Sequence, residues 1–178
     1  LTESGTYVWR VQMFDNVNNP STVQDVGFVY DPTAPTITSL TPCNSSGTAV
    51  GVKTTEYYFV PASATNVYVK LVATDRSGDP HGSGMSYFNP GVTYQTLSGS
   101  SDVTPSMSQT VTETAAAATG VYIKDASSND YWSLSGYKYV KFVPTVYDRV
   151  GNPKAYAGTA VWVALDDTAP TATATYAA

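Results

Sequence analysis

Phe14-Asp15-Asn16-Val17-Asn18-Asn19-Pro20 and Tyr147-Asp148-Arg149-Val150-Gly151-Asn152-Pro153 are one passage written twice. In each, an alternating apolar strand runs into an aspartate, and a tight turn carrying Asn and Pro follows. Asp and Asn side chains bond main-chain N–H groups two residues on, and Gly or Asn accepts a positive φ, so both passages read as hairpin turns. The closing proline is expected to block further pairing. One more strand follows each turn. The first ends in Asp31-Pro32-Thr33-Ala34-Pro35-Thr36 and the second in Asp167-Thr168-Ala169-Pro170-Thr171. Asp15 and Asp148 lie 133 positions apart, and Pro35 and Pro170 lie 135 apart. Two independent landmarks agree on one period, which marks an internal repeat.

The repeat sets the expected boundaries. Residues 33–167 form one complete unit. Residues 1–32 are the closing hairpin of a preceding unit, and residues 168–178 the first strand of a following one. A two-stranded hairpin is marginal alone in water, so residues 1–32 need a partner. Stacked repeats make a preceding unit in a longer chain the first reading. Strand addition to an identical subunit is the second. The Thr-Ala-Pro linkers favour extended, semi-rigid joints over a flexible tether.

Strand patterns fill the rest. Alternation marks 7–14, 26–30, 36–41, 56–60, 67–73, 139–147 and 160–165, with weaker candidates at 91–97 and 120–124. Ala115 to Ala118 allow at most one helical turn. Tyr occurs 14 times, and charged residues make up only 13%, a balance that suits pleated, half-buried surfaces and secreted β-proteins. The fold class is therefore all-β, an antiparallel sandwich.

The closing blocks resemble bacterial immunoglobulin-like repeats of large surface proteins and adhesins. Gly5, Tyr7, Asp15, Asp31 and Thr33 to Pro35 carry the likeness in the first copy. Gly136, Tyr137, Asp148, Gly151, Asn152 and Asp167 to Pro170 carry it in the second. Val69 to Asp75, followed by Ser83-Gly84-Met85, matches an early strand of such domains. The resemblance covers about a third of the chain and implies an immunoglobulin-like sandwich in an extracellular, structural or adhesive array. At about 135 residues the unit exceeds the roughly 100 of an ordinary sandwich, and the excess is assigned to an insertion near 89–135.

The chemistry-bearing inventory is thin. A net charge of −5 without a basic stripe excludes nucleic-acid binding. No apolar run is long enough to span a membrane as a helix. One histidine, His81, sits in a Gly/Pro-rich turn and reads as an exposed loop residue rather than a triad member. One cysteine, Cys43, reads as a small loop residue, with inter-chain pairing as the alternative. An enzyme is not expected. Asp15, Asp31, Asp148 and Asp167 are first turn and cap residues, and secondly calcium candidates, since carboxylates gathered at domain junctions suit calcium. Asn44-Ser45-Ser46 is a formal glycosylation acceptor and implies an exposed loop. The rival function is a carbohydrate-binding module of a secreted enzyme, with Tyr87, Phe88, Tyr94, Tyr131 and Trp132 as the sugar-stacking candidates. Core or inter-chain packing is the simpler role for those rings.

Overall fold

The computed structural model describes residues 1, 3–54, 57–61, 63, 65–76, 81–112 and 120–166. The expected strand at 168–178, the Ala115–Ala118 run and the candidate Asp167 lie outside the described residues. The described chain is all-β.

Two short strands open it, β1 (Gly5–Val11) and β2 (Gln24–Tyr30), paired only with each other among the described residues. One layer of the sandwich is built on β6 (Asn66–Thr74). It pairs with β3 (Thr36–Cys43) along one edge and with β10 (Val121–Tyr122) and β11 (Trp132–Ser133) along the other. Its period-2 pattern buries Val67, Val69, Leu71 and Ala73 and turns Tyr68, Lys70 and Val72 outward.

The other layer holds five strands in the order β4 (Val52–Lys53), β5 (Tyr57–Pro61), β15 (Val161–Asp166), β12 (Tyr137–Phe142) and β8 (Val92–Thr96), with β5 and β15 parallel. It continues as β14 (Pro153–Ala155), β13 (Thr145–Asp148), β7 (Met85–Asn89) and β9 (Gln109–Thr110).

The continuation explains a departure from the sequence reading. The run 139–147 is two strands, β12 and β13, broken at Val143-Pro144. Its partner breaks at the same level, at Pro90-Gly91. Val143 N–H donates to Gly91 O at 3.2 Å across the break. Gly91 has φ 58°, and a Cβ there would lie 2.0 Å from Val143 O, so only glycine fits. Both prolines lack the ladder donor, so the sheet bends there.

Side chains from both layers fill one core, including Leu71, Met85, Phe88, Ile123, Leu134, Phe142 and Val163. Each fully buried apolar side chain of this kind contributes roughly 1.5–3 kcal/mol. The stretch 89–135 is woven into that core. It supplies Val92, Val111, Ile123, Trp132 and Leu134, and the Trp132 indole N–H donates to Ile123 O at 3.1 Å.

Two further expectations are corrected. The turn prolines do not end pairing: Pro20 bridges Phe14, and Pro153 opens β14 opposite Tyr147. At a sheet edge a missing N–H costs no ladder bond, because that side of the strand has no neighbour. Cys43 is no loop residue. It closes β3 fully buried, and burial raises its thiol pKa, which removes it from inter-chain pairing in the folded state.

The β1–β2 hairpin adds nothing to the core. Trp9 is 68% exposed, Met13 70% and Val26 57%. Tyr7 faces Phe28 and Trp9 faces Val26. Moving the first strand by 133 positions and the second by 135 gives Val140 opposite Val163 and Phe142 opposite Val161, which are the pairs observed between β12 and β15. Those four residues are buried to 3% exposure or less. The hairpin thus shares the register of β12 and β15, with the face that is core in that pair open to solvent at Trp9 and Val26.

Candidate functional site

Among the described residues one loop geometry occurs four times. In the Asp148 loop, Oδ1 accepts from Val150 N at 3.0 Å and Asn152 N at 2.8 Å, and Oδ2 accepts from Asn152 Nδ2 at 2.7 Å. In the Asp15 loop, Oδ1 takes Val17 N and Asn19 N, both at 2.9 Å, and Oδ2 takes Asn19 Nδ2 at 2.8 Å. The Asp125 loop repeats the set with Ser127 N, Asn129 N and Asn129 Nδ2, each at 2.9 Å. Asn44 does the same for Ser46 N and Thr48 N at 3.0 Å. The fourth residue of each loop has positive φ: Asn18 68°, Gly47 80°, Ser128 67° and Gly151 96°. Asp or Asn at the first position, and Asn at the fifth in three of the four loops, therefore have a mechanical role, as the sequence reading expected. The Asn19 bonds are also the main reason the Asp15 carboxyl lies below its ordinary range.

Only in the Asp148 loop is the first residue buried, and that loop reaches across the fold. Asn152 Nδ2 also donates to the main-chain carbonyls of Asp31, at 2.9 Å, and Thr33, at 3.4 Å. These are the first linker residues, so the loop clasps the joint between hairpin and sandwich. Asp31 turns inward there, with Oδ1 accepting from Thr33 N at 3.0 Å and Oδ2 from Ser83 N at 2.7 Å. Asp75, just past the end of β6, completes the group, and its Oδ2 accepts from Gly84 N at 2.6 Å. Gly82 permits the approach, because a Cβ there would meet Asp75 O at 2.5 Å.

Asp31, Asp75 and Asp148 are 5%, 4% and 1% exposed. One carboxylate oxygen from each lies within 4.8 Å of the others. Neither Asp31 nor Asp148 forms an ion pair with a described residue. At this separation and an effective dielectric near 20, each pair of ionised groups repels by on the order of 3 kcal/mol. Buried carboxylates are stabilised by hydrogen bonds, by a cationic side chain or by a bound cation. Three carboxylates fit a hard, oxygen-preferring divalent ion, and calcium matches that donor chemistry.

Of the four calcium candidates named from sequence, the fold brings together Asp31 and Asp148. It leaves Asp15 exposed in the hairpin loop, and Asp167 is outside the described residues. Asp75, the third carboxylate of the cluster, was not among those candidates. Its signal was an aspartate ending an alternating strand, followed by the Ser83-Gly84 turn.

The other candidates are placed plainly. His81 is exposed and lines a recess of about 340 Å³ with Arg76 and Arg149 beside the joint. Phe88 and Trp132 are core residues, 0% and 3% exposed, so the rings named for sugar stacking form no common exposed strip. Tyr87 stacks on Tyr147 at 4.5 Å, and Tyr131 packs on Tyr68 at 5.8 Å. The Asn44 side chain serves its own loop, accepting from Ser46, and Ser45 and Ser46 are exposed. Among the described residues no helix is long and apolar enough to cross a membrane.

No family model matches the sequence, and no curated protein matches it.

Proposed function

We propose that this chain is a stretch of an extracellular array of immunoglobulin-like sandwich units with a structural or adhesive role, and that its mechanism is mechanical. The shared register of β1–β2 and β12–β15 carries this reading. Tyr7, Trp9, Val26 and Phe28 occupy the positions that Val140, Phe142, Val161 and Val163 fill in the complete sandwich. A sheet face so patterned is the inner wall of another unit.

The joint supports the same reading. A Pro-containing linker is held at both carbonyls by Asn152, and three buried carboxylates meet where one unit passes into the next. Calcium held by Asp31, Asp75 and Asp148 would neutralise that cluster and fix the angle between units. Residues 1–32 would then pack on the unit that precedes them, with strand addition to an identical subunit as the other way to cover the same face.

Electron microscopy of the intact parent protein tests this proposal. A row of similar bodies is expected, straighter with calcium than with a chelator. A single globular particle would overturn it.

A further inference from the structure

Beside the Asp125 loop the surface folds into a recess of about 140 Å³. The aromatic pair Tyr94 and Tyr137 forms one wall, with ring centroids 4.9 Å apart at 67°. Trp132, Asp125, Ser127 and Ser133 line the remainder. Among the described residues, neither Tyr94 nor Tyr137 uses its phenol hydroxyl in a hydrogen bond. Burial, and then the neighbouring Tyr94 and Asp125, hold the Tyr137 phenol above its ordinary pKa, so it is a protonated donor near neutral pH. Asp125 is fixed by its own loop through three bonds, which leaves a rigid carboxylate as acceptor.

The chemistry of this wall narrows its ligand. Ring faces suit the C–H face of a pyranose, and hydroxyls that donate and accept suit vicinal hydroxyl groups. The lining has a carboxylate and no Lys, Arg or His, so acidic sugars and phosphates are disfavoured. Aromatic walls with a few convergent polar groups are common to small-molecule sites, and the small volume of this recess limits it to part of a single sugar ring. We infer that this recess binds one neutral hexopyranose unit of a glycan, against Tyr94 and Tyr137, with Asp125 and Ser127 reading its hydroxyls. The site differs from the sugar strip expected from sequence. Of those rings it retains Tyr94 on the wall and Trp132 as a largely buried base. It rests on the recess alone and stands or falls independently of the array.

The test is an NMR titration of the full chain with methyl glucopyranoside, methyl galactopyranoside, N-acetylglucosamine and, as a charged control, glucuronic acid. At least one neutral probe should shift the amides of Ala126, Ser127 and Ser133 and the Trp132 indole N–H, while glucuronic acid leaves them in place. Ser127→Tyr, which fills the recess from an exposed loop position, should weaken the response by about tenfold or more. Tyr94→Phe and Tyr137→Phe keep the packing, remove the hydroxyls and should also weaken it. The inference is overturned if no neutral probe moves these signals, if glucuronic acid moves them equally, or if all three variants respond like the parent. It is also overturned if a proline-rich peptide moves them and no sugar does, which would make the recess a peptide groove.

Discussion

Asn152 donates its side-chain amide to the main-chain carbonyl of Asp31 at 2.9 Å, across 121 residues of sequence. The same nitrogen closes its own loop on Asp148 at 2.7 Å and reaches Thr33 O at 3.4 Å. A residue that first reads as turn punctuation therefore ties the linker to the sandwich. Asn19, its counterpart in the exposed hairpin loop, bonds within its own loop to Asp15.

Asn152→Ala should accordingly destabilise the sandwich by about 1–3 kcal/mol, the cost of leaving partly buried polar partners unsatisfied. Asn19→Ala should change it by less than about 1 kcal/mol, as expected of an exposed turn. Urea denaturation of the two variants makes the comparison. Equal losses would show that Asn152 acts only within its turn.

Calcium should raise the melting temperature of the chain, and a chelator should reverse the rise. A ligand at a hundred times its Kd adds about 2.7 kcal/mol. Asp31→Asn keeps the shape of the side chain and removes one charge, but its amide nitrogen cannot accept one of the two main-chain N–H bonds that Asp31 takes from Thr33 and Ser83. It should lower the stability of the chelated protein and reduce the further rise that calcium gives over that chelated baseline. A calcium-independent melt in the parent would remove the cation from the joint.

Trp132→Ala should cost about 3–5 kcal/mol, because a core indole and its bond to Ile123 O are lost together. Trp162→Ala should cost much less, about 1 kcal/mol. Trp162 lies half-buried on the outer face, among Tyr57, Tyr139 and Lys141. Denaturant midpoints of the two variants decide this directly.

Tyr139 donates its phenol to Asp102, and that bond, ahead of burial, pushes its pKa up to about 12. The folded chain thus favours the protonated phenol. Its contribution is fully present below the ordinary phenol pKa near 10 and is lost as pH rises through about 12. Asp102→Asn should bring the Tyr139 titration, followed by tyrosine-ring carbon NMR, back toward the ordinary value. An unmoved midpoint would assign the shift to another cause.

Much of this architecture was legible in the sequence, because it rests on local signals. Alternation at Val67 to Ala73 follows from one face of β6 being core, and the Asp148 loop is written in its turn residues. The duplicated loop and linker gave the register that Tyr7–Phe28 and Val140–Val163 later share. What was not legible depends on long-range placement. Asp75 joins Asp31 and Asp148 only because the Ser83-Gly84 turn folds back on the linker. The break at Pro90-Gly91 shows its purpose only beside Val143. Phe88 and Trp132 could not be told from surface rings, since an aromatic in a Ser- and Thr-rich stretch fits either face. Short strands such as Gln109–Thr110 have too few residues to show a period.

Hydroxyl-radical footprinting of Trp9 and Met13 tests the central claim most directly. Trp9 is 68% exposed and Met13 70% in the 178-residue chain, so both should oxidise readily there. In the intact parent protein both should be strongly protected, because they would line the inner wall of the unit that the hairpin closes. Oxidation of both residues at the same rate in the two samples would mean that this face stays open to water, and the array would lose its basis.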